Sequence, residues 1–130
     1  VSEHKRVLVV DDDPETVNML KVVLETASYD VLTAYDGCEG VRQAKREKPD
    51  AVILDLMMPK MDGFTACKKI KADSETERIP VLVLTAIGQH LSHTRYAKEM
   101  GLGLEAEDYV EKPIDSAVLL ERLAKLLERR

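Results

Sequence analysis

The chain has 130 residues, 45% of them hydrophobic and 33% charged, with a formal net charge of −5. That is enough for one domain with a buried core, and the acidic balance speaks against the basic surface that nucleic-acid binding uses. No apolar run nears the roughly 20 residues of a membrane span, no signal peptide precedes the first strand, and Cys38 and Cys67 lack metal-type spacing, so a cytoplasmic protein with reduced thiols is expected.

Short apolar runs alternate with longer amphipathic segments, the pattern of repeated βα units. Val7–Val10 reads as the first strand. A helix is expected over Pro14–Ala27: Pro14 suits a first turn, and Val17, Leu20, Val23, Leu24 and Ala27 recur at helical spacing. Val31–Ala34 forms a short second strand. The second helix starts near Asp36-Gly37 and ends before Pro49. Ala51–Asp55 is apolar on both faces, as a central parallel strand should be. A loop follows over Met57–Asp62, with Pro59 and Gly63 as punctuation, and then a third helix over Gly63–Ala72. Pro80 precedes the fourth strand, Val81–Leu84, which stops at Thr85. A fourth helix is expected over Ser92–Met100 and a short fifth strand over Asp108–Glu111. Asp115 caps a last helix, with Leu119, Leu120, Leu123, Leu126 and Leu127 on one face. Five strands and five helices, without linker or repeat, predict a single domain over residues 1–130. Right-handed crossovers make such a chain a doubly wound α/β sandwich.

Polar residues stand where four of these strands end. Val7–Val10 stops at Asp11-Asp12-Asp13, the third strand at Asp55, the fourth at Thr85 and the fifth at Lys112-Pro113. The carboxyl ends of parallel strands share one edge of the sheet, where ligands bind. Two like charges about 4 Å apart repel by roughly 4 kcal/mol at an effective dielectric of 20. Asp11, Asp12 and Asp55 in one cleft therefore call for a cation or raised pKa values. Hard, partly solvated oxygen ligands suit Mg²⁺, or Mn²⁺, better than Zn²⁺. One aspartate can cap the first helix, and Asp13 reads as that solvated cap; three in a row exceed the need. Asp55 can serve as a ligand or as a nucleophile that forms an acyl phosphate. Thr85 can donate to a phosphoryl oxygen and Lys112 can neutralise another.

Together these residues resemble the receiver domain of two-component response regulators. The matching stretches are Val7–Asp13 with Pro14, Asp55–Gly63, Val83-Leu84-Thr85-Ala86 and Asp108–Pro113. The resemblance implies a flavodoxin-like (βα)5 sandwich with a parallel sheet in the order 2-1-3-4-5. It implies that Asp55 accepts a phosphoryl group from the histidine of a sensor kinase or of a histidine phosphotransfer protein. Asp12 is then the direct metal ligand, Asp11 acts mainly through water, and the Met57 carbonyl completes the Mg²⁺ ligands. Thr85 and Lys112 hold the phosphoryl group, and Lys112–Pro113 is a cis peptide. Tyr109 matches the switch aromatic that turns into the space Thr85 leaves; the plain alternative is a half-buried ring with a wet hydroxyl. The face of the fourth helix, fifth strand and last helix is thereby remodelled for a downstream protein, an attached output domain or a phosphorylation-dependent dimer. Direct contact with nucleic acid or membrane is not implied. The domain would catalyse its own phosphorylation and dephosphorylation without turning over a diffusible substrate.

Other readings fit less well. A haloacid dehalogenase-type phosphatase could use the Asp11/Asp13 spacing but leaves Asp55 without a role. An FMN site lacks a phosphate-cradling glycine loop after the first strand, and an inert scaffold would not need the full acceptor set. The stretch Met100–Asp108 is longer than the family's usual connection and predicts an altered output surface. Met57 and Ile87 are apolar where the family tunes loss of the phosphoryl group, so a long-lived phospho-aspartate is expected. His90 and His93 read as surface residues, and Lys125, Arg129 and Arg130 favour the last helix's negative end.

Overall fold

The computed structural model describes residues 4–56, 63–85 and 106–128. Five strands, β1 (Arg6–Val10), β2 (Asp30–Ala34), β3 (Ala51–Asp55), β4 (Val81–Thr85) and β5 (Asp108–Glu111), pair in parallel in the order β2-β1-β3-β4-β5. The strand order reverses between β1 and β3, and these two carry Asp11 and Asp55 at their carboxyl ends. This is the doubly wound, flavodoxin-like order, whose crevice lies where the order reverses. β3 and β4 are buried along their whole length, whereas the edge strand β2 is half-open; continuous apolar runs are what two covered faces require.

Three helices, α1 (Pro14–Thr26), α2 (Gly37–Glu47) and α3 (Gly63–Ala72), precede a last helix over Ser116–Glu128. The fourth helix expected over Ser92–Met100 lies outside the described residues. The pleat sends alternate side chains to opposite faces. Leu8, Val10, Val52, Leu54, Val81 and Val83 pack with Ala44 of α2 and Phe64, Ala66, Cys67 and Ile70 of α3. Val7, Val9, Ile53, Leu82, Leu84 and Val110 pack with Val17, Leu20 and Leu24 of α1 and with Leu119, Leu123 and Leu126 of the last helix. The expected apolar faces are narrower than the periodicity suggested. Leu120 and Leu127 only flank the core, and Ala27 is exposed.

Ala27 caps α1 rather than continuing it. Tyr29 N–H donates to Leu24 O and Ser28 N–H to Glu25 O, with Ser28 at φ 70°. That is the pair of bonds that closes a helix through one left-handed residue. Lys48 ends α2 in the same region, at φ 46°, just before Pro49. Asp115 caps the last helix as expected, accepting from Ala117 N at 2.9 Å and Val118 N at 3.3 Å. Among the described residues no helix is long and apolar enough to cross a membrane.

The start of β5 is fixed by a clamp that periodicity could not reveal. Glu107 N–H donates to Val81 O at 2.9 Å, and Glu107 Oε1 accepts from Val81 N at 2.7 Å. The other carboxylate oxygen takes Lys71 Nζ at 2.8 Å, and Lys71, at the end of α3, also reaches Ile79 O at 2.7 Å and Glu77 O at 3.1 Å. The Lys71 side chain is 9% exposed, so the ammonium is held mainly by these three acceptors. Removing the ammonium takes away the part-buried bond to Ile79 O together with those to Glu77 O and Glu107. Lys71→Met is expected to destabilise the fold by about 2 kcal/mol, read as a lower urea midpoint at unchanged m-value.

Candidate functional site

The three consecutive aspartates divide into different roles. Asp11 continues the β1–β2 ladder, its N–H donating to Ala34 O at 3.1 Å, and its side chain is fully buried. Asp13 is exposed and caps α1, accepting from Glu15 N at 3.2 Å and Thr16 Oγ1 at 2.7 Å. The Thr16 hydroxyl above all, then the Glu15 N–H, holds the Asp13 carboxyl below the ordinary carboxylate range. Asp13 N–H in turn donates to Asp11 Oδ1 at 3.0 Å. Asp12 is exposed at the rim. The helix cap thus accounts for Asp13 and leaves Asp11 and Asp12 facing Asp55, which is itself buried. One carboxylate oxygen from each of Asp11, Asp12 and Asp55 lies within 4.8 Å of the others.

Burial is the main cause that raises the Asp11 pKa to about 6; Asp55 and Asp12 add repulsion, while the Asp13 N–H and Lys112 oppose the rise. Asp11 Oδ2 is buried and accepts no hydrogen bond. Its nearest counter-charge among the described residues is Lys112 Nζ at 3.7 Å, and the same ammonium stands 3.4 Å from Asp55 Oδ1. Lys112 therefore faces two buried carboxylates, with a third at the rim. A buried, unbonded carboxylate oxygen in an all-oxygen cluster fits a hard divalent cation, for which the pocket already holds the ligands and the excess charge.

Strand parity sorts the remaining residues. Asp55 is two residues beyond Ile53, on the side of the sheet covered by α1 and the last helix. Thr85 is two residues beyond Val83, on the side covered by α2 and α3. Tyr109 pairs with Val83 in the β4–β5 register and packs against that second core. Thr85 and Tyr109 thus follow each other along one side of neighbouring strands. Tyr109 is half-buried, and burial pushes its hydroxyl pKa up, with Cys67 as a lesser cause. Lys112 N–H donates to Thr85 O at 2.7 Å, so the β4–β5 ladder continues past the strand end and sets Lys112 beside Thr85. The Lys112–Pro113 peptide is cis.

Gly63 serves the site in a way that its reading as loop punctuation missed. A Cβ on Gly63 would lie 2.3 Å from Asp55 O and 2.4 Å from Leu56 Cα. Gly63 N–H donates to Leu56 O at 2.8 Å. The first residue of α3 is pressed against the backbone that carries Asp55, and only a residue without a side chain fits. Met57, Ile87, His90, His93, Arg129 and Arg130, and the Met100–Glu105 part of the longer connection, lie outside the described residues.

A family model for the response regulator receiver domain matches residues 7–124. The chain belongs to this family. The receiver domain is 44% identical over 124 residues to the DNA-binding dual master transcriptional regulator RpaA of Synechocystis, covering 95% of this chain. It spans only 49% of that relative's length. A solved structure assigned to a response regulator of Chloroflexus aurantiacus superposes with a TM-score of 0.86 at 36% identity, covering 97% of this chain and 99% of the other. The receiver domain of the sensor histidine kinase PA1611 from Pseudomonas aeruginosa matches with a TM-score of 0.83 at 28% identity, covering 96% and 98%. In that protein a magnesium ion is coordinated in the active site cleft. This chain is therefore a receiver domain of two-component signalling. A dehalogenase-type reading, which needs Asp13 free for acid catalysis, conflicts with its use as the α1 cap.

The folded protein holds the Asp11 proton more tightly than the unfolded chain, whose carboxyl titrates near 3.8. Stability of the metal-free protein should therefore fall as pH rises from about 4 to 6 and then level off. Asp11→Asn should remove that loss, raise metal-free stability at pH 7 by about 2 kcal/mol, and shrink the thermal stabilisation given by Mg²⁺; melting curves across pH with and without MgCl₂ check all three. Gly63→Ala should cost about 2 kcal/mol or more in urea unfolding, because the new methyl group meets backbone that cannot rotate away.

Proposed function

We propose that this receiver domain is a phosphorylation switch whose acceptor is Asp55. The observation that carries the reading is the buried Asp55 carboxylate standing 3.4 Å from Lys112 Nζ, with Asp11 and Asp12 within ligand distance. The donor is the phosphohistidine of a sensor histidine kinase or of a histidine phosphotransfer protein. A carboxylate oxygen of Asp55 attacks phosphorus, the P–N bond breaks, the imidazole leaves with the electron pair, and an acyl phosphate remains on Asp55. Mg²⁺ (or Mn²⁺), held by Asp11, Asp12 and Asp55 with the Met57 carbonyl, would supply a Lewis acid that neutralises charge on the transferring group. Asp11 and Asp12 form no bond to phosphorus; their part would be to hold the cation beside Asp55.

Lys112 stays fixed at the mouth of β5 and offers its ammonium to a phosphoryl oxygen. Thr85, at the end of β4, donates its hydroxyl to another. Once Thr85 turns toward the phosphoryl group, the side of the sheet it shares with Tyr109 has room for that ring to move inward. The switch is a shift in population between two arrangements that differ in these contacts. Its output is the surface around β5 and the last helix, read by a downstream protein, an attached output domain or a second copy of the chain. The domain acts in the cytoplasm and turns over nothing except its own phosphoryl group. The apolar side chains of Met57 and Ile87 give no group that would orient an attacking water, so the phospho-aspartate is long-lived.

Intact mass after incubation with acetyl phosphate tests the reading. A single adduct is expected that needs Mg²⁺, survives acid, is lost in base and is absent in Asp55→Asn. Lys112→Ala should slow its formation by about 100-fold while the protein remains folded. A folded wild-type protein that binds Mg²⁺ but gains no phosphoryl group would overturn the assignment.

A further inference from the structure

The described helices on the two faces of the sheet differ in charge. α2 and α3 together carry six basic residues (Arg42, Lys45, Arg46, Lys68, Lys69 and Lys71) against two acidic ones (Glu39 and Glu47). α1 and the last helix carry three basic and four acidic residues. Although the chain has a net charge of −5, α2 and α3 carry an excess of basic residues. The two helices that form it pack against each other. Between them runs an open groove of about 550 Å³, lined by Val41 and Lys45 of α2, Lys69 and Ala72 of α3, and Asp73 and Ser74 beyond it.

Some of the positive charge is already neutralised. Lys45 pairs with Asp73 at 3.4 Å and Glu75 at 3.7 Å, Lys48 with Glu75 at 3.2 Å, Arg46 with Glu47 at 3.1 Å, and the nearly buried Lys71 with Glu107 at 2.8 Å. These pairs gather at the C-terminal ends of α2 and α3. The exposed cations nearer the middle of the two helices, Arg42, Lys68 and Lys69, have no ion-pair partner among the described residues. Arg42, Lys45 and Arg46 lie at i, i+3 and i+4, on one ridge of α2. On α3 the exposed residues Thr65, Lys68, Lys69 and Ala72 form the facing ridge with the same spacing.

We propose that the α2–α3 face docks an acidic protein segment, with carboxylates on Arg42, Lys68 and Lys69 and an apolar side chain in the groove over Val41 and Ala72. Charge complementarity selects the occupant. A nucleic-acid strand needs a positive track along its backbone, and Asp73 and Glu75 interrupt this face at one end. They suit instead a short segment that ends there. The field of these three cations, unpaired among the described residues, raises the association rate and makes binding sensitive to salt. This surface lies apart from β5 and the last helix, so its occupation does not depend on the phosphorylation reading.

Fluorescence anisotropy with a labelled twelve-residue peptide of alternating Glu and Leu provides the test, using the whole chain at low and at physiological salt. Saturable, salt-sensitive binding is expected, weakened at least tenfold in the triple variant Arg42→Glu/Lys68→Glu/Lys69→Glu. A control variant, Lys21→Glu/Lys125→Glu, reverses two charges on the opposite helices and should bind like wild type. Circular dichroism melts establish that both variants fold. No binding by wild type, or equal losses in the two variants, would overturn the proposal. Tighter binding of oligo-dT than of the peptide would overturn it in favour of a nucleic-acid surface, and concentration-dependent self-association lost in the triple variant would replace the acidic partner with a second copy of this chain.

Discussion

Two carboxylates, those of Asp11 and Asp55, are withdrawn from water at the same edge of the sheet and share the ammonium of Lys112. Left alone, that arrangement is unfavourable: burial and mutual repulsion raise the pKa of Asp11 to about 6. The rest of the molecule holds it in place. The β1–β3 register sets the two strand ends side by side, Asp13 spends its own carboxylate on the α1 cap while its N–H steadies Asp11, and the ladder bond from Lys112 to Thr85 fixes the lysine. Fold stability is given up locally so that these carboxylates stand assembled at one edge of the sheet, the trade common to functional sites.

The parity of the strands gives this cluster its two sides. Asp55 belongs to the side covered by α1 and the last helix, and Thr85 to the side covered by α2 and α3, which Tyr109 shares. In the proposed switch, a group added at Asp55 that draws Thr85 toward it would change packing next to Tyr109 without any contact between Tyr109 and the added group. The coupling needs only that Thr85 be a short side chain with a hydroxyl at the boundary between the sides. α3 is tied to the same system at both ends. Gly63 rests on the Asp55–Leu56 backbone, and Lys71 reaches Glu107 at the start of β5.

Much of this was legible in the residues. Apolar runs ending in aspartate, threonine and lysine predict parallel strands and put the polar residues on one edge, because a parallel sheet must bury both faces and so expresses itself as uninterrupted Val, Leu and Ile. Asp115 and Pro14 mark helix starts by local chemistry, and both stand where expected. Helix faces were less legible. Leu120, Leu127 and Ala27 fall on the periodic stripe, yet only the neighbouring helix and sheet decide how wide that stripe is.

The sequence by itself determined which groups could meet, since strand polarity and alternation are properties of local backbone geometry. It also determined that three aspartates in a row exceed what one helix needs. Tertiary structure alone decided how those aspartates share the work, because burial and hydrogen bonding, not residue type, separate the buried Asp11 from the capping Asp13. It alone decided that Gly63 is present for closeness to Asp55 rather than for backbone freedom, and that Lys71 pairs with Glu107. Each of these depends on the distance between segments far apart in the chain, and no local pattern encodes such a distance.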